Sequence, residues 1–227
     1  MKAQKIRMYG ANQIKDEIDD IITQLISCGL CIKQNFTSIK DVGKNKVVSW
    51  GETKDLSIVM KNIDYEDIYN TLEKDNNYTL KLIDGSLVQM MYKFNRNHEI
   101  VSHRLGFFPC ITLQPLEDDH ELYSRFDLYA DIMKNNTLPT IFRFDFDEDS
   151  KLHIELDHAK SHVTFGQFES CRIPSSGPMS PKKFIDFVVR NFYHTAMKDF
   201  DLNFNCKNNF ERTITENETN VIHFNFN

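Results

Sequence analysis

The sequence has no run of 18 apolar residues, so none of it reads as a membrane-spanning helix. It has no excess of positive charge. Its 27 Lys and Arg face 33 Asp and Glu, and the formal net charge of -6 argues against a general nucleic-acid or membrane-surface binder. Any basic patch must therefore be built locally against the overall field. The cysteines number five, an odd and scattered set that excludes a secreted disulfide framework and predicts a reducing cytoplasm. The opening MKAQKIRMYGANQIKDE has no apolar h-region, so no signal peptide is expected. A Walker-type loop, a nucleophile elbow, a Rossmann glycine set and a kinase signature are all missing. So are internal repeats, low-complexity tracts and an obvious linker.

What is present is core material: 41% of the residues are hydrophobic and 18 are Phe, enough for one large domain. The richest stretch is Thr140 to Arg172, TIFRFDFDEDSKLHIELDHAKSHVTFGQFESCR. Side chains of a β-strand alternate between faces. Phe142, Phe144 and Phe146 thus point one way, and Arg143, Asp145 and Asp147 the other. Lys151 to His158 repeats the scheme, with Leu152, Ile154 and Leu156 opposed to His153, Glu155 and Asp157. Ser161 to Phe168 sets Val163 and Phe165 against His162 and Thr164. The spacing predicts three antiparallel strands, the first two joined by a hairpin at Asp147 to Ser150.

Before this stretch, Asn12 is a helix cap for a stripe of Ile14, Ile18, Ile21, Ile22, Leu25 and Ile26, with acids in the first turns and Gly29 as the stop. Cys28 and Cys31 form a C-x-x-C at the wrong end of that helix for redox chemistry, and no second pair completes a zinc set, so both are packing residues. Lys46 to Trp50 and Leu56 to Lys61 read as strands, and Asp64 caps a helix through Lys74, with Ile63 stapled onto it. Tyr78 to Ile83 and Leu87 to Phe94 are strands joined at Asp84-Gly85, a hairpin with positive φ at both positions. Asn95 to Asn97 turns into a strand from Glu99 to Phe108. There, His103 and Arg104 lie on opposite faces, so at most one reaches a shared site. A helix is predicted from about His120 to Met133. Later, Ser180 and Pro181 start a helix running to about Lys198. Strands Phe210 to Thr215 and Val221 to Phe226 close the chain. The whole reads as a single α+β domain over residues 1–227, an extended antiparallel sheet with several packed helices.

Several phrases together resemble an uncharacterised family of bacterial proteins known only as a domain of unknown function. They are His103-Arg-Leu-Gly-Phe-Phe-Pro109, Phe142-Arg-Phe-Asp145, and His158-x-x-x-His162-x-Thr-x-Gly166. The last continues as Cys171-Arg-Ile-Pro174, Pro178-x-Ser-Pro181-x-x-Phe184 and Val189-Arg-Asn-Phe-Tyr193. The family pattern has Pro after the first His of the third motif, where this chain has Ala159. The resemblance implies a bacterial origin and a single-domain unit. It implies no activity, beyond an association of such families with mobile or defence gene clusters.

The candidate site is His162, His158, Arg143, Asp145 and Arg172. An imidazole titrates near neutrality and serves as general base or acid. Two guanidinium forks suit a phosphate or carboxylate, and Asp145 orients a histidine or an arginine. This set serves phosphodiester cleavage without a metal or other cofactor, as in an RNase-like toxin or effector, with nucleic acid entering only as a substrate. A metal variant takes His158, His162 and Asp145 or Asp157 as ligands. The bland alternative is a solvated sheet face with cross-strand ion pairs. A further alternative is a non-catalytic protein-binding subunit of a larger defence assembly or an oligomer, docking through the Pro-rich loops Gly106 to Pro115 and Arg172 to Pro181.

Overall fold

The computed structural model describes residues 9–51, 63–112, 140–168, 170–206 and 209–226. The strand Leu56 to Lys61 and the helix His120 to Met133 lie outside the described residues. Among the described residues nine strands form one antiparallel sheet, and α-helices pack on it, so the α+β reading holds.

The strands are β1 (Cys31–Gln34), β2 (Thr37–Val42), β3 (Asn45–Trp50), β4 (Leu80–Leu82), β5 (Leu87–Phe94), β6 (Ile100–Phe108), β7 (Phe142–Asp147), β8 (Ser161–Phe165) and β9 (Ile173–Pro174). The order is β1-β4-β5-β6-β7-β8-β9, and β3, paired with β2, also lies against β5. The sheet forks there because β4 takes Leu87 and Val88 while β3 takes Tyr92 to Phe94.

One face is covered by α1 (Ala11–Ser27) and α3 (Pro181–Phe192). Ile14, Ile18, Ile21, Ile22 and Leu25 of α1 are buried as their spacing requires. They meet Val88, Met90, Tyr92 and Phe94 of β5, Leu105 and Phe107 of β6, and Phe142 and Phe144 of β7. The core is aromatic at its centre. Phe144 packs its ring against Phe142, Phe184, Phe187, Phe224 and Phe226, with centroids 5.5 to 6.2 Å apart. On the opposite face, at one end only, α2 (Tyr65–Lys74) buries Ile68, Tyr69 and Leu72 against Leu87, Phe108 and Ile141. Ile63 packs on that cluster, as a staple should.

The structure corrects several expectations. Lys151 to His158 is not a strand: it is a run of turns closed by a single bridge between Ile154 and His158, and β7 pairs directly with β8. Leu152, Ile154 and Leu156 are exposed, not inward. The closing strands 210–215 and 221–226 are absent as well. A short helix, here α5 (Glu216–Thr219), occupies the predicted turn, and Phe224 makes one parallel bridge to Ser175. Helix α1 is capped by Gly10, not Asn12, and its first turn holds no acid. Only Gly85 has positive φ at the β4–β5 turn; Asp84 instead accepts from the Ser86 amide. The helix after Ser180 breaks at Tyr193, leaving a separate α4 (His194–Asp199). Strands β1 and β2 were not foreseen. Cys28 and Cys31 are buried free thiols, and burial pushes Cys31 up to about 11.

The Pro-rich loop before α3 is not a docking surface, because Pro174 to Ser180 are all buried. It is pinned to the sheet. Tyr92 Oη donates to Met179 O at 2.8 Å, and the Met179 amide donates to His103 Nε2 at 3.0 Å. His103 lies in the core between the rings of Tyr92 and Phe146. Burial pushes its imidazole down to about 4 from its ordinary 6.5. Between those values the unfolded chain binds a proton that the folded chain rejects. Stability is therefore full above about pH 6.5 and falls as the pH drops toward 4, by roughly 3 kcal/mol across the window. Urea unfolding at steps between pH 7 and pH 4 measures this. His103→Gln, which keeps an acceptor for the Met179 amide, should flatten the slope by about one proton.

Candidate functional site

The second face of the sheet, away from α1 and α3, collects charge where α2 does not cover it. Strand β7 sits between β6 and β8, and its register decides the neighbours. Asp145 lies opposite Arg104 on one side and His162 on the other. Arg143 lies opposite Gly106 and Thr164. Side chains directly opposite in an antiparallel pair share a face, so Arg104, Arg143, Asp145, His162 and Thr164 form one surface. A side chain at position 106 would strike the Phe108 ring, which folds back to 2.6 Å from where a Cβ would stand.

The Asp145 carboxylate lies between two guanidiniums. Arg104 Nε stands 3.4 Å from Asp145 Oδ1, and Arg143 Nε stands 3.7 Å from Oδ2. The side chains are 12 to 21% exposed, so this pairing is largely out of water. Burial pushes the Asp145 carboxyl up, but Arg143 and then Arg104 outweigh it and hold it below the usual carboxylate range. Burial likewise depresses the Arg143 guanidinium, with Arg104 and Arg172 repelling it and Asp145 supporting it. Arg143 Nη1 is buried with no hydrogen-bond partner among the described residues. Arg104 has a further partner beyond this pair.

His162 is buried beside this group. Its Nδ1 lies 2.9 Å from the Ala159 carbonyl, so Nδ1 carries the hydrogen and Nε2 keeps its lone pair. His158 stands at the start of the β8 approach, half-buried, its ring edge-on to His162 with centroids 5.1 Å apart. Burial lowers the His162 pKa, against support from Asp145. Burial and then Arg172 lower that of His158, against Asp157, Asp145 and Asp147. Arg172, half-buried just before β9, is near enough to act on Arg143, His158 and His162 alike.

The structure therefore brings Arg143, Asp145, His158, His162 and Arg172 into one neighbourhood. It adds Arg104: His103 and Arg104 were expected on opposite faces, with at most one of them reaching a shared site. They face opposite ways, and it is Arg104 that reaches the site. The register of β6 against β7 carries that information, and a single strand cannot show it. Asp145 orients the arginines, not a histidine. The metal variant fails among the described residues, where no three His, Cys, Asp or Glu side chains converge. Asp145 is committed to guanidiniums and His162 Nδ1 to a carbonyl. His153 and Glu155 do not join the site either. His153 Nε2 is 3.1 Å from the buried Glu218 of α5, and Glu155 accepts from Thr215 and Asn217.

Replacing Asp145 by Asn should leave two half-buried guanidiniums without an opposing charge. The expected loss is about 3 kcal/mol, the size found when one partner of a buried pair is removed. Urea denaturation at pH 7 measures it, and a loss below about 1 kcal/mol would place the pair among solvated surface contacts.

Among the described residues no helix is long and apolar enough to cross a membrane. No curated protein and no solved structure matches the chain. A family model described as Uncharacterized conserved protein (DUF2290) does match, over residues 30–226, and the chain belongs to that family.

Proposed function

We propose that the chain binds and cleaves a phosphodiester at the Arg143–His162 face, as an RNase-like enzyme of a bacterial toxin or defence system. One observation carries this reading. A half-buried surface holds Arg104 and Arg143 on the carboxylate of Asp145 with Arg172 nearby, next to a histidine whose Nε2 has no hydrogen-bond partner among the described residues. A protein of net charge -6 has little reason to gather guanidiniums this way unless an anion completes the set. Arg143 Nη1, buried and unpartnered, is a donor that a phosphate oxygen would satisfy. In this scheme Arg143 and Arg172 hold the phosphate, His162 Nε2 takes a proton from the attacking oxygen, and Asp145 fixes the guanidiniums in place.

A second reading, a protein-binding subunit, is favoured by the exposed Leu152, Ile154 and Leu156 beside the exposed Val221 and Ile222. His153 and Glu155 bond to Glu218, Thr215 and Asn217, just ahead of Val221 in the chain.

Purified protein incubated with labelled RNA and DNA oligonucleotides tests the first reading. His162→Asn retains a donor for the Ala159 carbonyl and removes Nε2; Arg172→Gln removes one cation from the phosphate site. Each should slow cleavage by at least about 100-fold, with melting temperature little changed. A cleavage activity indifferent to both substitutions, or no activity toward either polymer, would overturn it. In that event, recovery of a stoichiometric protein partner lost on Ile154→Asp would establish the second.

A further inference from the structure

On the phosphodiester-cleaving reading above, we infer that the substrate is RNA and that its own 2′-hydroxyl is the nucleophile, with His162 as the base and His158 as the acid. The arrangement of the two imidazoles assigns these roles. His162 is locked by the Ala159 carbonyl with Nδ1 protonated, so the nitrogen left to it is an acceptor. His158 is not locked in this way. It lies half-buried on a turn, where burial and then Arg172 disfavour its charged form and Asp157, Asp145 and Asp147 favour it. Two rings 5.1 Å apart do not readily both carry a proton, so the pair takes up at most one, and the surroundings decide which ring receives it. Burial disfavours the proton on both rings, more so on His162, which is buried where His158 is half-buried. A bound phosphate cancels the repulsion from Arg172 and delivers the proton to His158. One acceptor and one donor are what an internal nucleophile and its leaving group require.

The step balances without any further reactant. His162 Nε2 takes the 2′-hydroxyl proton as the 2′-oxygen bonds to phosphorus. The bond from phosphorus to the 5′-oxygen breaks, its electron pair stays on that oxygen, and His158 protonates it. The products are a 2′,3′-cyclic phosphate and a free 5′-hydroxyl. Arg143 and Arg172 face the charge that grows on the non-bridging oxygens.

The experiment uses three forms of one oligonucleotide: all-RNA, the same strand with a single 2′-deoxy sugar at the mapped cleavage position, and the RNA with sulfur replacing the 5′-bridging oxygen there. The expected result is a cyclic phosphate terminus by mass spectrometry, and cleavage at least about 100-fold slower for the 2′-deoxy strand. Sulfur leaves without a proton. His158→Ala should therefore be slow on the oxygen substrate and recover most of its rate on the sulfur one, whereas His162→Asn should be slow on both. Cleavage of the 2′-deoxy strand, or a product bearing a 5′-phosphate, overturns this inference while leaving phosphodiester cleavage standing. His158→Ala equally slow on both leaving groups overturns the acid role. No cleavage of any strand overturns the inference together with the reading beneath it.

Discussion

Strand β7 imposes the constraint on which the rest depends. Its Phe142 and Phe144 commit one face to α3, Phe144 also meeting the C-terminal Phe224 and Phe226, and Phe146 packs on His103. Each aromatic pair adds about 0.5–1.5 kcal/mol beyond its buried area, and Phe144 alone makes five. A slip of one residue would turn Arg143 and Asp145 into that core and the phenylalanines out of it. The same packing that stabilises the sheet therefore fixes where the charged side chains stand. It also fixes their neighbours, because β6 and β8 must pair with β7 in the register that buries Leu105, Phe107 and Val163.

The charge on the other face is asymmetric in a way that packing does not require. A sheet face meant only for solubility would alternate signs and remain wet. Here Asp145 is shared between two guanidiniums and is mostly withdrawn from water, which costs desolvation that the pairing has to offset. A third guanidinium, Arg172, is brought up from beyond β8, near enough to act on Arg143 and His162. Positive charge assembled at that cost, inside an overall acidic protein, is what supports the proposed anion site.

Much of this was legible in the sequence, and the failures share a cause. The alternation in Phe142 to Asp147 and in Ser161 to Phe165 predicted both strands, their faces and the clustering of Arg143, Asp145 and His162. Lys151 to His158 alternates just as cleanly and is no strand. Alternation records which side chains could share a face. It does not record whether a partner strand is free, and β7 already has β6 and β8 on its two edges. The segment turns instead, with Leu156 at φ 67, and its polar residues dock on α5. The closing segment fails for the same reason: Phe224 and Phe226 serve as single plugs under Phe144 and not as members of a ladder. Arg104 was legible only through register, a property of two strands at once.

The misread excursion bears on chemistry. His162 belongs to a strand paired on both sides, with its ring tied to a carbonyl of the preceding turn. His158 hangs at the end of the excursion, held by its bridge to Ile154, and that excursion is in turn held by His153 to Glu218 and by Glu155 to Thr215 and Asn217. Glu218 is buried and also closes the capping box of α5, so the C-terminal segment and the excursion form one unit. One imidazole is thus fixed by the sheet, and the other is placed by a separate polar clasp on the far end of the chain. A base that must meet one hydrogen benefits from rigidity; a group that must follow a departing oxygen benefits from a support that can give. On the proposed roles, the sheet would hold the base and the clasp would carry the acid.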